Sequence, residues 1–229
     1  MITVCHRRSD APVHALRRKH IFRVGVAVLL NLGLLAGCGS LLPKAPTQPT
    51  LYVLDGVSGT PAENIVVPSV ASVASAMTIT VTTPIASPGF GSTHIVYQRQ
   101  VHELEHFALN QWVDTPAQML LPLIVRALLQ RGAFRAVVRG STAALSELRL
   151  DTELVRLQQQ FMTSPSQARV TLRAVLVDVS TRRVIAAREF DVEVASKTDD
   201  PVGGVAAANE AVTRLLGQLA DFCADAAQK

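Results

Sequence analysis

Glu147-Leu148-Arg149-Leu150-Asp151-Thr152-Glu153-Leu154, running on through Val155-Arg156-Leu157 to Gln158-Gln159-Gln160, is the stretch that decides the fold. Leu148, Leu150 and Leu154 alternate with Arg149, Asp151 and Glu153. A period of two puts the apolar set on one side and the charged set on the other, which predicts a half-buried strand. Two further segments repeat the pattern. Residues 168–179 carry Val170, Leu172, Ala174 and Leu176 on one face, with Val175, Val177 and Val179 making the far end apolar on both. Residues 184–194 set Phe190, Val192 and Val194 against Glu189, Asp191 and Glu193. The links Thr163-Ser164-Pro165-Ser166 and Ser180-Thr181-Arg182-Arg183 are short enough for hairpins, so the three strands are expected to be antiparallel. Such a sheet packs one face and leaves the other wet.

Outward from this core, two helices are expected. Asp114-Thr115-Pro116 offers a capping residue with proline just inside. Leu120, Leu121, Ile124, Val125, Leu128 and Leu129 then recur at helical spacing, and Gly132 closes the helix. Pro122 falls in its first two turns, where its lost N–H is expected to cost little. The second helix follows Asp199-Asp200-Pro201 and a Gly203-Gly204 lead-in, with Val205, Ala208, Val212, Leu215, Leu216, Leu219 and Phe222 as its stripe. Cys223 is read as a small buried hydrophobe beside Phe222. Short strands are predicted at Leu51–Leu54, Ala76–Thr83, Thr93–Gln100 and Ala133–Val138, with residues 57–71 left as loop. In residues 76–83, Met77, Ile79 and Val81 alternate with Thr78, Thr80 and Thr82, again a half-buried pattern. The fold class is α+β: an antiparallel sheet with two helices packed on one face, in a single domain over residues 51–229.

Ahead of that domain, Leu35-Ala36-Gly37-Cys38 ends an apolar run from Val24 to Leu35, behind Arg17, Arg18, Lys19 and Arg23. A basic start, about a dozen apolar residues and small residues before a cut site make a secretory signal. The four residues resemble a bacterial lipobox, which implies cleavage before Cys38 and lipidation of its thiol. A transmembrane anchor is the rival reading. The run is too short for it, since about 30 Å of hydrocarbon needs about 20 residues. Residues 1–37 are therefore expected to leave as signal peptide. Residues 38–50, with Pro43, Pro46 and Pro49 in step, are expected to form an extended tether that holds the domain off a membrane surface. Six of the 22 Lys and Arg but one of the 18 Asp and Glu lie before Cys38, leaving 16 basic against 17 acidic residues. The pI of 9.3 belongs mostly to the leader, and no nucleic-acid-binding face is expected. With Cys5 in the leader and Cys38 lipidated, Cys223 has no partner for an intrachain disulfide.

His102-Glu103-Leu104-Glu105-His106 fits the H-E-x-x-H pattern of zinc proteases. That chemistry needs a helix, on which residues four apart share one face and grip one ion while the glutamate activates water. Val101, Leu104, Phe107, Ala108 and Trp112 would suit one. On a strand the two histidines stand about 13 Å apart, at about 3.3 Å per residue. Glu105 is charged where zinc proteases carry uncharged residues, and no third histidine follows at metzincin spacing. The expectation is a surface strand, with no catalytic residue, metal or cofactor assigned. A zinc hydrolase on His102, Glu103 and His106 is the alternative, and a structural envelope-assembly lipoprotein is another.

Tyr52-Val53-Leu54 soon after Cys38, then Ile95-Val96-Tyr97-Gln98-Arg99, then Trp112-Val113-Asp114-Thr115-Pro116 opening a leucine-rich helix, form a recognisable order. Leu128-Leu129-Gln130-Arg131-Gly132-Ala133-Phe134 and Ala206-Ala207-Ala208-Asn209-Glu210-Ala211 continue it. The chain resembles the auxiliary lipoproteins of ABC-type lipid transport systems, the PqiC-like family encoded beside MCE proteins. It departs at Val113-Asp114, where many members show a small residue and a second proline. The resemblance implies a non-enzymatic component of phospholipid or sterol trafficking, lipid-anchored at the periplasmic face of the outer membrane. Its implied partners are an MCE-type substrate-binding protein, a permease and an ATPase. Gly39, rather than Asp, after the cysteine favours the outer membrane by the same resemblance. No nucleotide-binding motif is present, so ATP would be hydrolysed by another chain. Strand edges also permit a homo-oligomer.

Overall fold

β7 (Leu148–Gln160) is the spine of the sheet. A computed structural model describes residues 47–56, 77–140 and 146–228. The leader, Cys38 and the expected loop at 57–71 lie outside the described residues. Along one edge β7 pairs antiparallel with β8 (Gln167–Asp178), and β8 pairs antiparallel with β9 (Arg183–Ala195). These are the three long strands that the alternation predicts.

The other edge of β7 is shared by three short strands laid end to end. β2 (Thr78–Val81) pairs with Leu148 to Leu150, β3 (Ile85–Ala86) with Glu153 and Leu154, and β4 (His94–Gln98) with Gln159 and Gln160. All three run parallel to β7. Beyond β2 lies β6 (Ala136–Arg139), also parallel. Beyond β4 lies antiparallel β5 (Glu105–Trp112), and then β1 (Thr50–Tyr52), parallel to β5. The sheet is thus antiparallel through its long strands and mixed at the short ones. The parallel contacts join segments far apart in the chain, which no hairpin signal reports.

β2 differs from its expected half-burial: all four residues are buried, because it lies between β6 and β7. Thr78 and Thr82, at the two ends of the strand, still find polar partners, whereas the buried Thr80 hydroxyl has none among the described residues. The Thr78 N–H donates to Glu147 (2.7 Å), Arg135 donates to the Thr78 hydroxyl (3.0 Å), and the Thr82 hydroxyl donates to Asp151 (3.1 Å).

α1 (Pro116–Arg131) buries Met119, Leu120, Leu123, Ile124 and Leu128. Leu129, assigned to the stripe from sequence, is 46% exposed, so the buried face is turned toward Leu123. Gly132 closes the helix at φ 68°, donating its N–H to the Leu129 carbonyl. Pro122 lies beyond the first turn, where N–H groups lack helical partners anyway, so the helix gives up one bond there.

α2 (Pro201–Ala226) starts earlier than the glycines suggest. The Asp200 carboxylate caps it by accepting from the Gly203 N–H (2.7 Å), and Gly203 and Gly204 are buried inside the first turns. A Cβ on Gly203 would stand 2.2 Å from the Thr198 carbonyl oxygen, and one on Gly204 2.1 Å from Gln159 Oε1. Glycine there lets the helix settle on the end of β7. The rest of its stripe, Ala208, Val212, Leu215, Leu216 and Leu219, packs on β8, β9 and β7, while α1 packs on β6, β2, β3 and α2. Asn209 is the buried polar exception. Its side chain accepts from the Asp55 and Gly56 N–H groups and donates to the Val53 carbonyl, fastening the segment after β1 to α2.

Candidate docking surfaces

The H-E-x-x-H residues do not form a helix. His102 sits in a turn at φ 69°, and Glu105 and His106 open β5. A turn and the extended start of β5 stand where the helix would have to be to put the two histidines on one face. His106 instead stacks on His94 of β4, with ring centroids 4.4 Å apart and planes at 28°. The bulge between β4 and β5 brings these two strands' histidines side by side, a pairing across 12 residues that a local motif does not encode. Cys223 is fully buried, and burial pushes its thiol up to about 12, the behaviour of a packing residue. It lies beside Phe222, whose ring meets Phe190 edge-on at 5.6 Å.

The sheet face away from the helices is laced with ion pairs. Arg169 reaches Asp191 (2.6 Å) and Glu193 (3.2 Å), and Arg173 reaches Glu153 (2.7 Å) and Glu189 (3.0 Å). Register puts Arg169 opposite Glu193 and Arg173 opposite both Glu153 and Glu189, so charges of opposite sign meet across β7, β8 and β9. Arg135–Glu147 (2.7 Å) and Arg149–Asp151 (3.0 Å) extend the network toward β2.

These contacts hold carboxyls below their usual range. Asp191 is lowered by its hydrogen bond from Arg169, with the Thr171 hydroxyl adding to it. Glu147 is lowered by the Thr78 N–H first and Arg135 second. Asp200 is lowered by the Gly203 N–H at the start of α2. A carboxyl depressed in the folded state contributes stability above its unfolded pKa of about 4, and loses it as pH falls through the folded value. The midpoint of urea unfolding is therefore expected to stay level from pH 7 to 5 and to fall below about pH 4. A midpoint that rises on acidification would contradict these assignments.

Two kinds of surface could receive another molecule. The first is strand edge: β9 offers 13 residues with no strand on its outer side among those described. Its first half carries Arg183 and Arg188, its second Glu189, Asp191 and Glu193. β1 and β6 form shorter edges. The second is a hollow of about 380 Å³ between α1 and α2, floored by Leu123, Leu216 and Ala220 and rimmed by the Arg131–Asp221 pair (2.7 Å). Gly217 opens onto it, and a Cβ there would meet nothing within 4 Å. Sequence reasoning missed this hollow because it depends on the angle between two helices. Cys38, the predicted lipidation site, lies outside the described residues.

Comparison with known proteins supplies the context. Residues 62–220 match the family model described as ABC-type transport auxiliary lipoprotein component. No curated protein matches the chain. A crystal structure of protein XCC0632 from Xanthomonas campestris, of the family DUF330, is similar at 26% identity and a TM-score of 0.61, covering 66% of this chain and 86% of that one. A second solved structure, of an uncharacterized protein, shares the fold at 13% identity and a TM-score of 0.58, covering 77% and 99%.

Proposed function

The chain belongs to the family of ABC-type transport auxiliary lipoprotein components, and from that membership we propose that it serves an MCE-type lipid transport system from the outer membrane. On this reading Cys38 carries the acyl anchor, residues 38–50 are the tether, and residues 51–229 form a non-enzymatic docking domain in the periplasm. Its partners are an MCE-type substrate-binding protein, with the permease and ATPase of the same system, and phospholipid or sterol is the cargo. The match over residues 62–220 carries the proposal. The lipobox supports the anchor, and the 13-residue edge of β9 supports docking, because an unpaired edge offers a row of backbone donors and acceptors to an added strand. The same edge would serve a symmetric homo-oligomer, since its basic and acidic halves are complementary when two copies run antiparallel. The zinc-hydrolase alternative draws no support from His102 and His106, which lack a shared helical face.

Light scattering tests the docking role. The mature chain, alone and then mixed with an MCE-type substrate-binding protein of the same organism, is expected to shift in mass at micromolar concentration. A strictly monomeric chain that never shifts on mixing would remove the basis for an accessory role.

A further inference from the structure

We propose that the apolar face shared by β1 and the end of β5 is a bilayer-contacting surface, on which the domain rests through Leu51, Val53, Leu109 and Val113. Register builds the patch. Leu51 lies opposite Gln111 in the parallel β1–β5 pair, so residues two apart on either side share its face: Leu109 and Val113 on one segment, Val53 on the other. The four are 58%, 50%, 49% and 52% exposed in the order Leu51, Val53, Leu109, Val113. Tyr52 and Trp112 point the opposite way, Trp112 into the core. Core packing therefore does not require the outward four to be apolar, and an outward strand face is ordinarily polar. Elsewhere the outward face of the sheet follows that rule, in the ion pairs of β7, β8 and β9.

The chain itself names the occupant. This step rests on the reading of Cys38 as the lipid anchor. Twelve peptide steps separate Cys38 from Thr50, a reach of roughly 40 Å at full extension. A domain of this size is itself roughly 40 Å across. β1 is thus held within about one domain width of the bilayer, and its exposed face is the first exposed apolar face after the anchor among the described residues. Ile85, Val101, Val184 and Val202 are exposed too, but on segments not tied to the anchor by so short a length. Gln111, opposite Leu51 in the middle of the patch, is uncharged, so the patch itself sets no ion against the headgroups. The ion pairs of the same outward face sit on β7, β8 and β9, separated from the patch by β4. The three prolines favour an extended tether that permits a stand-off, and the apolar face is what would draw the domain back onto the surface. β1 and β9 stand at opposite ends of the order β1-β5-β4-β7-β8-β9, so contact through the β1–β5 patch does not use the long free edge of β9.

Fluorophore labelling of the lipidated chain provides the test. Cys223 is buried with a raised pKa and Cys38 is blocked by its lipid, so Leu109→Cys gives a single reactive thiol. The labelled protein is reconstituted into phosphatidylethanolamine–phosphatidylglycerol vesicles carrying a nitroxide lipid. An environment-sensitive label at position 109 is expected to shift to the blue and to be quenched several-fold more than one placed by Arg183→Cys on β9. Adding Val113→Glu is expected to erase that difference while the melting temperature and vesicle attachment stay unchanged. Equal quenching at both sites in vesicle-attached protein overturns the proposal. Mass spectrometry of the N-terminal peptide separates the two failures: an unlipidated chain sinks the anchor reading and this one together, whereas a lipidated chain with an unquenched label sinks only the orientation.

Discussion

Cys38→Ser is expected to leave an uncleaved precursor or a soluble species in place of the membrane-attached protein. Each buried CH₂ of an acyl chain contributes about 0.8 kcal/mol, so a single chain holds marginally and two or three hold firmly. Lipidation of the cysteine precedes the cut in proteins with a lipobox, so a serine there removes the anchor and the cleavage signal at once. Among the described residues no helix is long and apolar enough to cross a membrane in its place. The apolar face of β1 and β5 is four side chains wide, enough to orient a tethered domain but not to retain a free one. Fractionation with size analysis checks the outcome. Protein of mature size, extracted only by detergent, would overturn the assignment if found in the Cys38→Ser strain.

How far the chain could be read in advance depended on the range of each interaction. β7, β8 and β9 were legible because alternation is local and their links are short. Alternation predicts a strand over Glu147 to Gln160, and β7 runs from Leu148 to Gln160. The α2 stripe was legible for the same reason, at helical spacing. What stayed hidden was set by partners distant in sequence. Thr80 reads as a wet-face residue by alternation, yet it is 5% exposed because β6 and β7 flank β2 on both sides. Gly203 and Gly204 read as a lead-in, because glycine disfavours helix interiors. The close approach of Thr198 and Gln159 overrides that preference. Asn209 reads as one polar residue in an alanine run, and its bonds to Val53, Asp55 and Gly56 cross more than 150 residues. In the docking surfaces the same division holds. The charged alternation of the open sheet face was visible, whereas the His94–His106 stack and the hollow between the helices depend on tertiary placement.

Trp112→Ala is expected to lower stability by about 3 kcal/mol or more, within the range for removing a large buried aromatic. Trp112 is 3% exposed and belongs to the core formed with Ile95, Leu157 and Ala208. It ends β5 just before Thr115 and Pro116 open α1, so its side chain fills the corner where strand gives way to helix. Its backbone is engaged as well: the Trp112 N–H donates to the Thr93 carbonyl (2.7 Å), and Tyr52 of β1 lies opposite it. Truncation to alanine leaves that backbone bond in place but empties the space beneath β1 and β5. The loss is therefore expected to loosen β1, the strand nearest the tether, before it loosens the β7–β9 core. Urea unfolding measures the total, and hydrogen exchange measures the order, with residues 50–53 losing protection first. A lone tryptophan in a chain of 4% aromatics also invites a binding role. The two roles part cleanly in one experiment. If Trp112→Ala melts at the wild-type temperature yet fails to associate with its partner, the residue is an interface anchor and its assignment to the core is wrong.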